Sequence, residues 1–408
     1  MKLLIAIPAL NEEDAIESII SRSLAAAQTI KSESPVDQVE ITVVSDGSSD
    51  KTVELANKYV PQINLIVFPQ NRGYGAAIKE AWRQSNADLV GFLDADGTCD
   101  PNFFAPLCRT LVGENADVVL GCRLNKNSEM PGLRRVGNVI FATLLSVFSS
   151  SQVRDTASGM RVVRRSALNN LLPLPDGLHF TPAMSARALL SDVVKIVEID
   201  MPYRERVGES KLRVGKDGVR FLKVITEAAF LYRPSRPFVL CAAFLFLVAS
   251  LLMIKPIIFY LENGKVLEWM IYRFLVGALA GTASCLCFCA SYLTGRITRI
   301  ALSEEIEKQK TDLVARFFAG PAFWFAPGAL TLIGGSLVLG SFLQLLETGQ
   351  TYEHWSRFIV MSFCLSCAII LAVTRAIDFV LGLVQSRIDY WQEDVEHTAD
   401  RLADRAVA

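Results

Sequence analysis

Histidine is nearly missing from this chain: His179, His354 and His397 are the three among 408 residues, and they are scattered. Neither a histidine-built metal cluster nor a Ser-His-Asp triad is indicated by so few. The nine cysteines form no framework either. Cys99, Cys108 and Cys122 suggest no disulfide set. Cys285, Cys287, Cys289, Cys364 and Cys367 sit inside long apolar stretches, without a zinc-ribbon partner pair or a redox motif's βαβ setting, and read as small apolar packing. Asn71, Gly73 and Gly75 lack the third glycine and the spaced acidic residue of a dinucleotide fingerprint. With a formal net charge of −1, the chain shows no basic excess directed at nucleic acid.

What is abundant is apolar residues, 51% of the whole, and carboxylates at the ends of short apolar runs. The most telling is FLDADGTCDP, Phe92 to Pro101, where LVGFL ends in Asp94 and Asp96. Side chains two apart in extended backbone point the same way, so both carboxylates can face one hard cation beyond a buried strand. The alternative reading is an acidic turn after a strand. The opening KLLIAIPALNEEDAI offers a buried strand at Leu3 to Ile7 and an acidic first helical turn at Asn11 to Asp14; the apolar run is too short for a signal peptide. Further strands are expected at Glu40 to Val44, Asn64 to Phe68 and Asp117 to Leu120, with a helix at Lys51 to Lys58. Alternating strands and helices predict parallel βαβ units, a sheet covered by helices on both faces, and ligands at the strand exits.

The second half is of another kind. Phe238 to Tyr260, Trp269 to Leu293, Pro321 to Leu346 and Phe358 to Val384 are each long enough to span a bilayer, which takes about 20 apolar residues. Lys255, Arg375 and Asp378 interrupt two of them and are read as lying near membrane faces, with a functional intramembrane site as the alternative. Arg233, Arg236 and the basic 295–320 connection place the N-terminal domain, the middle loop and the C-terminal tail in the cytoplasm. Between the halves, Gly215 to Tyr232 carries apolar residues at helical spacing, with Arg220 and Lys223 opposite. This stretch reads as an interfacial helix on the headgroups or as a surface helix of the soluble domain. Gly334, Gly335 and Gly340 are expected to permit close helix packing. The expected organisation is a catalytic domain at 1–214, a juxtamembrane helix at 215–237, a four-helix transmembrane domain at 238–385 and a solvated tail at 386–408.

In order, PALNEE, VVSDGSSDKT, NRGYGAAI, DADGTCDP, RDTASGMRVVRRSAL and RVGESKL resemble the family-two glycosyltransferases of GT-A fold, and within them the dolichyl-phosphate mannose synthase group of polyprenyl-phosphate glycosyltransferases. The resemblance covers about the first 220 residues. It implies a Rossmann-like α/β domain that transfers one sugar, with inversion, from a nucleotide-sugar to a polyprenyl phosphate. It also implies roles. Pro8, Glu12 and Asp46 would contact the nucleotide, Val44 would pack beside the base, and Asn71 and Gly73 would let the backbone pass close to the donor. Asp94 and Asp96, with Ala95 between them, would bracket the diphosphate through Mg²⁺ or Mn²⁺, the ion acting as a Lewis acid.

A polyprenyl phosphate is mostly a dianion at neutral pH, so cations are needed to align it. Candidates are Arg123, Arg134, Arg135, Arg204, Arg206 and Lys211, any of which can also be a solvated surface charge. Arg123, Arg135, Arg206 and Lys211 match the family's positions best. Asp155 is the family's aspartate for a base, with a positioning or Arg-pairing role as the alternative.

The chain departs from the pattern at Leu10, Ser45, Gly97 and Thr98, and whether Thr98 replaces a metal-shell ligand is open. Two other readings compete: a processive polysaccharide synthase, for which the Gln-x-x-Arg-Trp motif is missing, and a non-enzymatic lipid-linked-sugar carrier, for which the spans offer few central polar groups.

Overall fold

The computed structural model describes residues 1–126, 128–149, 152–191, 193–204, 214–301, 317–318, 320–350 and 354–407. Arg206 and Lys211 lie outside them. The chain divides into two units, Met1–Tyr232 and Arg233–Ala408. The first runs β1 (Lys2–Ala9), α1 (Ile16–Glu33), β2 (Gln38–Ser45), α2 (Thr52–Asn57), β3 (Asn64–Val67), α3 (Tyr74–Gln84), β4 (Leu89–Leu93), α4 (Phe104–Gly113), β5 (Val118–Cys122), α5 (Gly132–Phe148), β6 (Met160–Arg164), α6 (Leu168–Leu171), α7 (Phe180–Leu190), β7 (Ile196–Asp200) and α8 (Val214–Tyr232).

β1 explains the layering. Its residues Leu3 to Ile7 are apolar without a break and fully buried, as a strand covered on both faces requires. Leu3, Ile5 and Ile7 enter a core with Ile16 and Ile19 of α1 and Phe104 of α4. Leu4 and Ala6 enter another with Ala77, Ile78 and Ala81 of α3 and Met184 of α7. Each large side chain so buried contributes on the order of 2 kcal/mol. This is a Rossmann-like GT-A domain.

The sheet order is β3-β2-β1-β4-β6-β5-β7. β1 pairs in parallel with β2 and β4, and β2 with β3. The parallel expectation fails at β6, which is antiparallel to both β4 and β5. A long excursion through α5 returns the chain between them in the opposite sense. β7, also not anticipated, adds parallel to β5 at the edge. The order reverses at β1 and β4, so their carboxyl ends diverge into a crevice, the usual ligand position in an open α/β sheet.

α8 packs through Phe221, Ile225, Ala228 and Ala229, all buried, the last three in a core with Leu145 of α5 and Leu189 and Leu190 of α7. Val219 and Leu222 of the same amphipathic stretch are exposed, at 70% and 47%.

The second unit contains α9 (Ser235–Asn263), α10 (Ile271–Ala301), α11 (Phe325–Thr348) and α12 (Trp355–Val407). Among the described residues, four helical segments are long and apolar enough to cross a membrane: Ser235–Asn263, Glu268–Ala301, Pro321–Thr348 and Trp355–Trp391. Asp378 is buried and satisfied: Tyr292 Oη donates to it at 2.8 Å, Arg375 at 2.7 Å, and Arg296 lies 3.4 Å away. These charges are compensated across α10 and α12. Gly334 permits the expected close approach, since a Cβ there would lie 3.3 Å from that of Cys364, whereas Gly335 and Gly340 meet nothing within 4 Å.

Candidate active site

The crevice holds a cavity of about 510 Å³ whose lining includes Pro8, Glu12, Asp46, Asn71, Gly73, Asp94, Ala95 and Asp96. Asp94 leaves β4 and accepts a 2.6 Å hydrogen bond from Tyr74 Oη. Tyr74 rests edge-on against Phe92 and Phe180. Burial, then the charge of Asp94, raises its phenol well above the ordinary value, so it stays a donor. Gly159, in the TASG segment, makes room for the carboxylate: a Cβ there would sit 1.9 Å from Asp94 Oδ2.

Asp96 is nearly buried, and Thr98 donates to its Oδ1 through both its amide (3.1 Å) and its hydroxyl (2.7 Å). Thr98 therefore orients the carboxylate. Cys99 is buried beside them, and burial pushes its thiol up to about 12, which removes it as a nucleophile at neutral pH.

Asp46 serves the cavity by holding its rim. Both of its oxygens accept backbone N–H groups, Arg72 at 2.7 Å and Gly73 at 2.9 Å. Burial raises its pKa against the pull of those two amides. Gly73 is required at its position, with φ +112° and the Asp176 carbonyl 2.4 Å from where a Cβ would stand. Val44 is fully buried in the core with Phe68 and Ala76 and is not part of the cavity lining, because alternation along β2 turns it into the α3 layer.

Asp155 stands beside Arg123. It is fully buried, outside the lining, and accepts from Arg123 N (2.9 Å), Nε (2.7 Å) and Nη2 (2.8 Å) and from Asn138 Nδ2 (2.5 Å). Burial opposes its ionisation, but the charge and hydrogen bonds of Arg123, then Asn138, hold it below the usual carboxylate range. It anchors Arg123, the pairing role that stands as the alternative to a base. Asn138 also receives Thr156 N and Oγ1, at 3.1 and 2.9 Å. Fully buried Arg161 ties the same segment through the Thr156 and Ser158 carbonyls, and burial lowers it only to about 10. The RDTASGMR stretch is thus a buried brace behind Asp94 and Arg123.

Arg123 and Arg134 line the cavity, and Arg123 also lies over the Tyr203 ring at 5.4 Å. Arg135 does not line it: its exposed side chain donates to the Asn125 carbonyl at 2.9 Å. Neighbouring helical residues point about 100° apart, so only one of the pair can face inward. Arg204 is absent from the lining as well.

Residues not anticipated from sequence complete the wall. Asp217, buried, and Arg220 lie 3.1 Å apart on the first turns of α8, joined by Tyr203 and Asn138. For Tyr74 the signal was its place inside NRGYG. Arg220, expected on the polar side of an amphipathic helix, is indeed exposed, at 47%, and also borders the cavity.

The sequence profile described as Glycosyl transferase family 2 matches residues 4–172. A dolichyl-phosphate hexose transferase of Haloferax volcanii is 34% identical over 226 residues, covering 53% of this chain and 89% of that protein. The chain belongs to glycosyl transferase family 2. This family-two enzyme is also similar to a dolichyl-phosphate beta-glucosyltransferase of Trichomonas vaginalis (28% identity, 51% of this chain, 65% of that one). An undecaprenyl-phosphate 4-deoxy-4-formamido-L-arabinose transferase of Photorhabdus laumondii is 29% identical, over 52% of this chain and 62% of that one. The chain thus spans a little under two thirds of these last two. Among solved structures, glucosyl-3-phosphoglycerate synthase from Mycobacterium tuberculosis aligns with TM-score 0.43 and 20% identity, over 56% of this chain and 79% of that one.

Among the described residues, no three metal-ligating side chains converge. The pair Asp94 and Asp96 still suits a divalent ion, since Mg²⁺ at phosphate sites takes one or two carboxylates and completes its shell with substrate oxygens and water.

Proposed function

We propose that this family-two glycosyltransferase moves one sugar from a nucleotide-sugar to a polyprenyl phosphate at the cytoplasmic face of a membrane, inverting the anomeric centre. The observation that carries the proposal is the polarity of one cavity: Asp94 and Asp96 stand at the end of β4, while Arg123, Arg134 and Arg220 line the same space. Carboxylates recruit a cation for the donor diphosphate, and arginines receive the acceptor phosphate. The three relatives, named as dolichyl-phosphate and undecaprenyl-phosphate sugar transferases, support the acceptor class.

When bound, Mg²⁺ or Mn²⁺ would be held by Asp94 and Asp96 and would supply Lewis-acid stabilisation of the departing diphosphate. The remaining work falls to side chains. Tyr74 and Thr98 fix the two carboxylates, and Asp46 holds the 72–73 amides at the rim. Arg123, braced by Asp155, and Arg134 orient a phosphate that needs little deprotonation, because most of it is already dianionic at neutral pH. Positioning, with two anions shielded from one another, is the main contribution asked of the protein. Arg206 and Lys211 are proposed as further acceptor contacts from their motif positions. Arg233, Arg236 and the basic 295–320 connection support the cytoplasmic placement.

Membranes containing the protein, incubated with labelled nucleotide-sugar and polyprenyl phosphate, test the proposal. A lipid product bearing one sugar supports it. Polymer would instead support a synthase, and binding without transfer a carrier.

A further inference from the structure

A second cavity, of about 490 Å³, lies against α8, walled by the Pro173–Pro175 segment, His179, Ala183 and Arg187. Arg220 lines both cavities and is their shared wall. Four turns of α8 face the second one, at Arg220, Lys223 and Val224, Glu227 and Ala228, and Leu231. That spacing is one helical stripe, distinct from the buried Phe221 and Ile225.

The lining is amphipathic. Arg187, Arg220 and Lys223 supply three cations against the single carboxylate of Glu227, beside apolar surface from Pro173, Leu174, Val224 and Leu231. The cations have local partners: Arg187 donates to the Leu171 carbonyl at 3.0 Å, Arg220 pairs with Asp217 at 3.1 Å, and Lys223 lies 3.7 Å from Glu227. Those contacts fix the heads without saturating them, since a guanidinium has five N–H donors and an ammonium three. His179 also lines the cavity, though its Nδ1 is buried away from solvent.

Chain connectivity sets where that ligand comes from. Leu231 lines the cavity, and Ser235 begins the first apolar helix. Four residues span at most about 14 Å, so the Leu231 end of the cavity is held within headgroup reach of a bilayer. We propose that this cavity is a lipid site separate from the transfer site. A phosphate-bearing headgroup would lie against Arg187, Arg220, Lys223 and His179, with its first methylenes on Leu174, Val224 and Leu231. A glycerophospholipid and a polyprenyl phosphate offer the same chemistry, a phosphate on an alkyl chain. The site does not depend on the transfer reaction.

The test uses full-length protein in phosphatidylcholine nanodiscs doped with either phosphatidylglycerol or undecaprenyl phosphate, titrating bound lipid by native mass spectrometry. Each cation near a lipid phosphate is worth about fivefold, so the Arg187→Gln/Lys223→Gln variant should bind about thirtyfold more weakly, and Lys223→Gln alone about fivefold. Lys223 is exposed, so its replacement leaves the fold intact. Val224→Trp, which fills the cavity and leaves every charge in place, should lose the same lipid. Loss in both the charge and the filling variants supports the site, and the arm in which it occurs identifies the lipid. Wild-type binding by all variants in both arms overturns it, as does loss confined to the charge variants, which would reduce the effect to surface attraction.

Discussion

Replacing Asp155 with Asn separates an anchor from a base. The side chain is fully buried and accepts three hydrogen bonds from Arg123 and one from Asn138. Asp155→Asn leaves the Arg123 guanidinium buried without a counter-charge, and breaking a buried pair in this way costs about 3–5 kcal/mol. In a unit of this size each kcal/mol moves Tm by about 2–4 °C, so melting of the catalytic unit should fall by roughly 6–20 °C. Circular dichroism of detergent-solubilised protein reads that change, and initial rates of labelled-sugar transfer read activity.

The pH dependence adds a second readout. Because the folded pKa of Asp155 is depressed, its stabilising contribution is complete above the unfolded value, about 3.9, and is lost only as pH falls through the lower folded value. The melting deficit and the rate deficit should therefore be flat from pH 6 to 8. An unchanged Tm, together with the wild type alone showing a rate limb near neutrality, would make Asp155 a base and refute the anchoring argument.

Gly159→Ala would drive a Cβ into Asp94 Oδ2 and should reduce transfer at least about a hundredfold, with the fold intact by circular dichroism. Tyr74→Phe removes a hydrogen bond to a charged group, worth about 1.5–3 kcal/mol, and should raise the donor KM or the cation requirement about ten- to hundredfold in steady-state assays. Arg134→Ala should raise the acceptor KM more than the donor KM, whereas Arg135→Ala should change either less than about threefold, since it caps the Asn125 carbonyl away from the cavity.

Much of the donor half was legible because strand burial and strand exit leave linear marks. Leu3 to Ile7 and Leu89 to Leu93 are unbroken apolar runs, each followed within a few residues by carboxylates, and parallel packing needs that pattern. β6 left no such mark, because Arg161 sits fully buried within MRVVR, satisfied by carbonyls that only the folded 156–158 segment provides. β7, IVEID at the sheet edge, has charge at Glu198 and Asp200, where one expects a loop. The acceptor half was less legible for a related reason. Arg123 and Asp155 are 32 residues apart and meet only through the fold, so the sequence left open the choice between a base and an Arg-pairing carboxylate. Arg135 matched the family's positions better than Arg134 in sequence, yet α5 brings Arg134 to the cavity and turns Arg135 to the Asn125 carbonyl.

The most direct measurement is transfer of labelled sugar to polyprenyl phosphate by chelator-stripped proteoliposomes, wild type beside Asp96→Asn. The account predicts that stripping abolishes transfer, that Mg²⁺ or Mn²⁺ restores it in the wild type, and that the folded variant stays inactive with either ion. Chelator-insensitive transfer, or wild-type rates from Asp96→Asn, would contradict it.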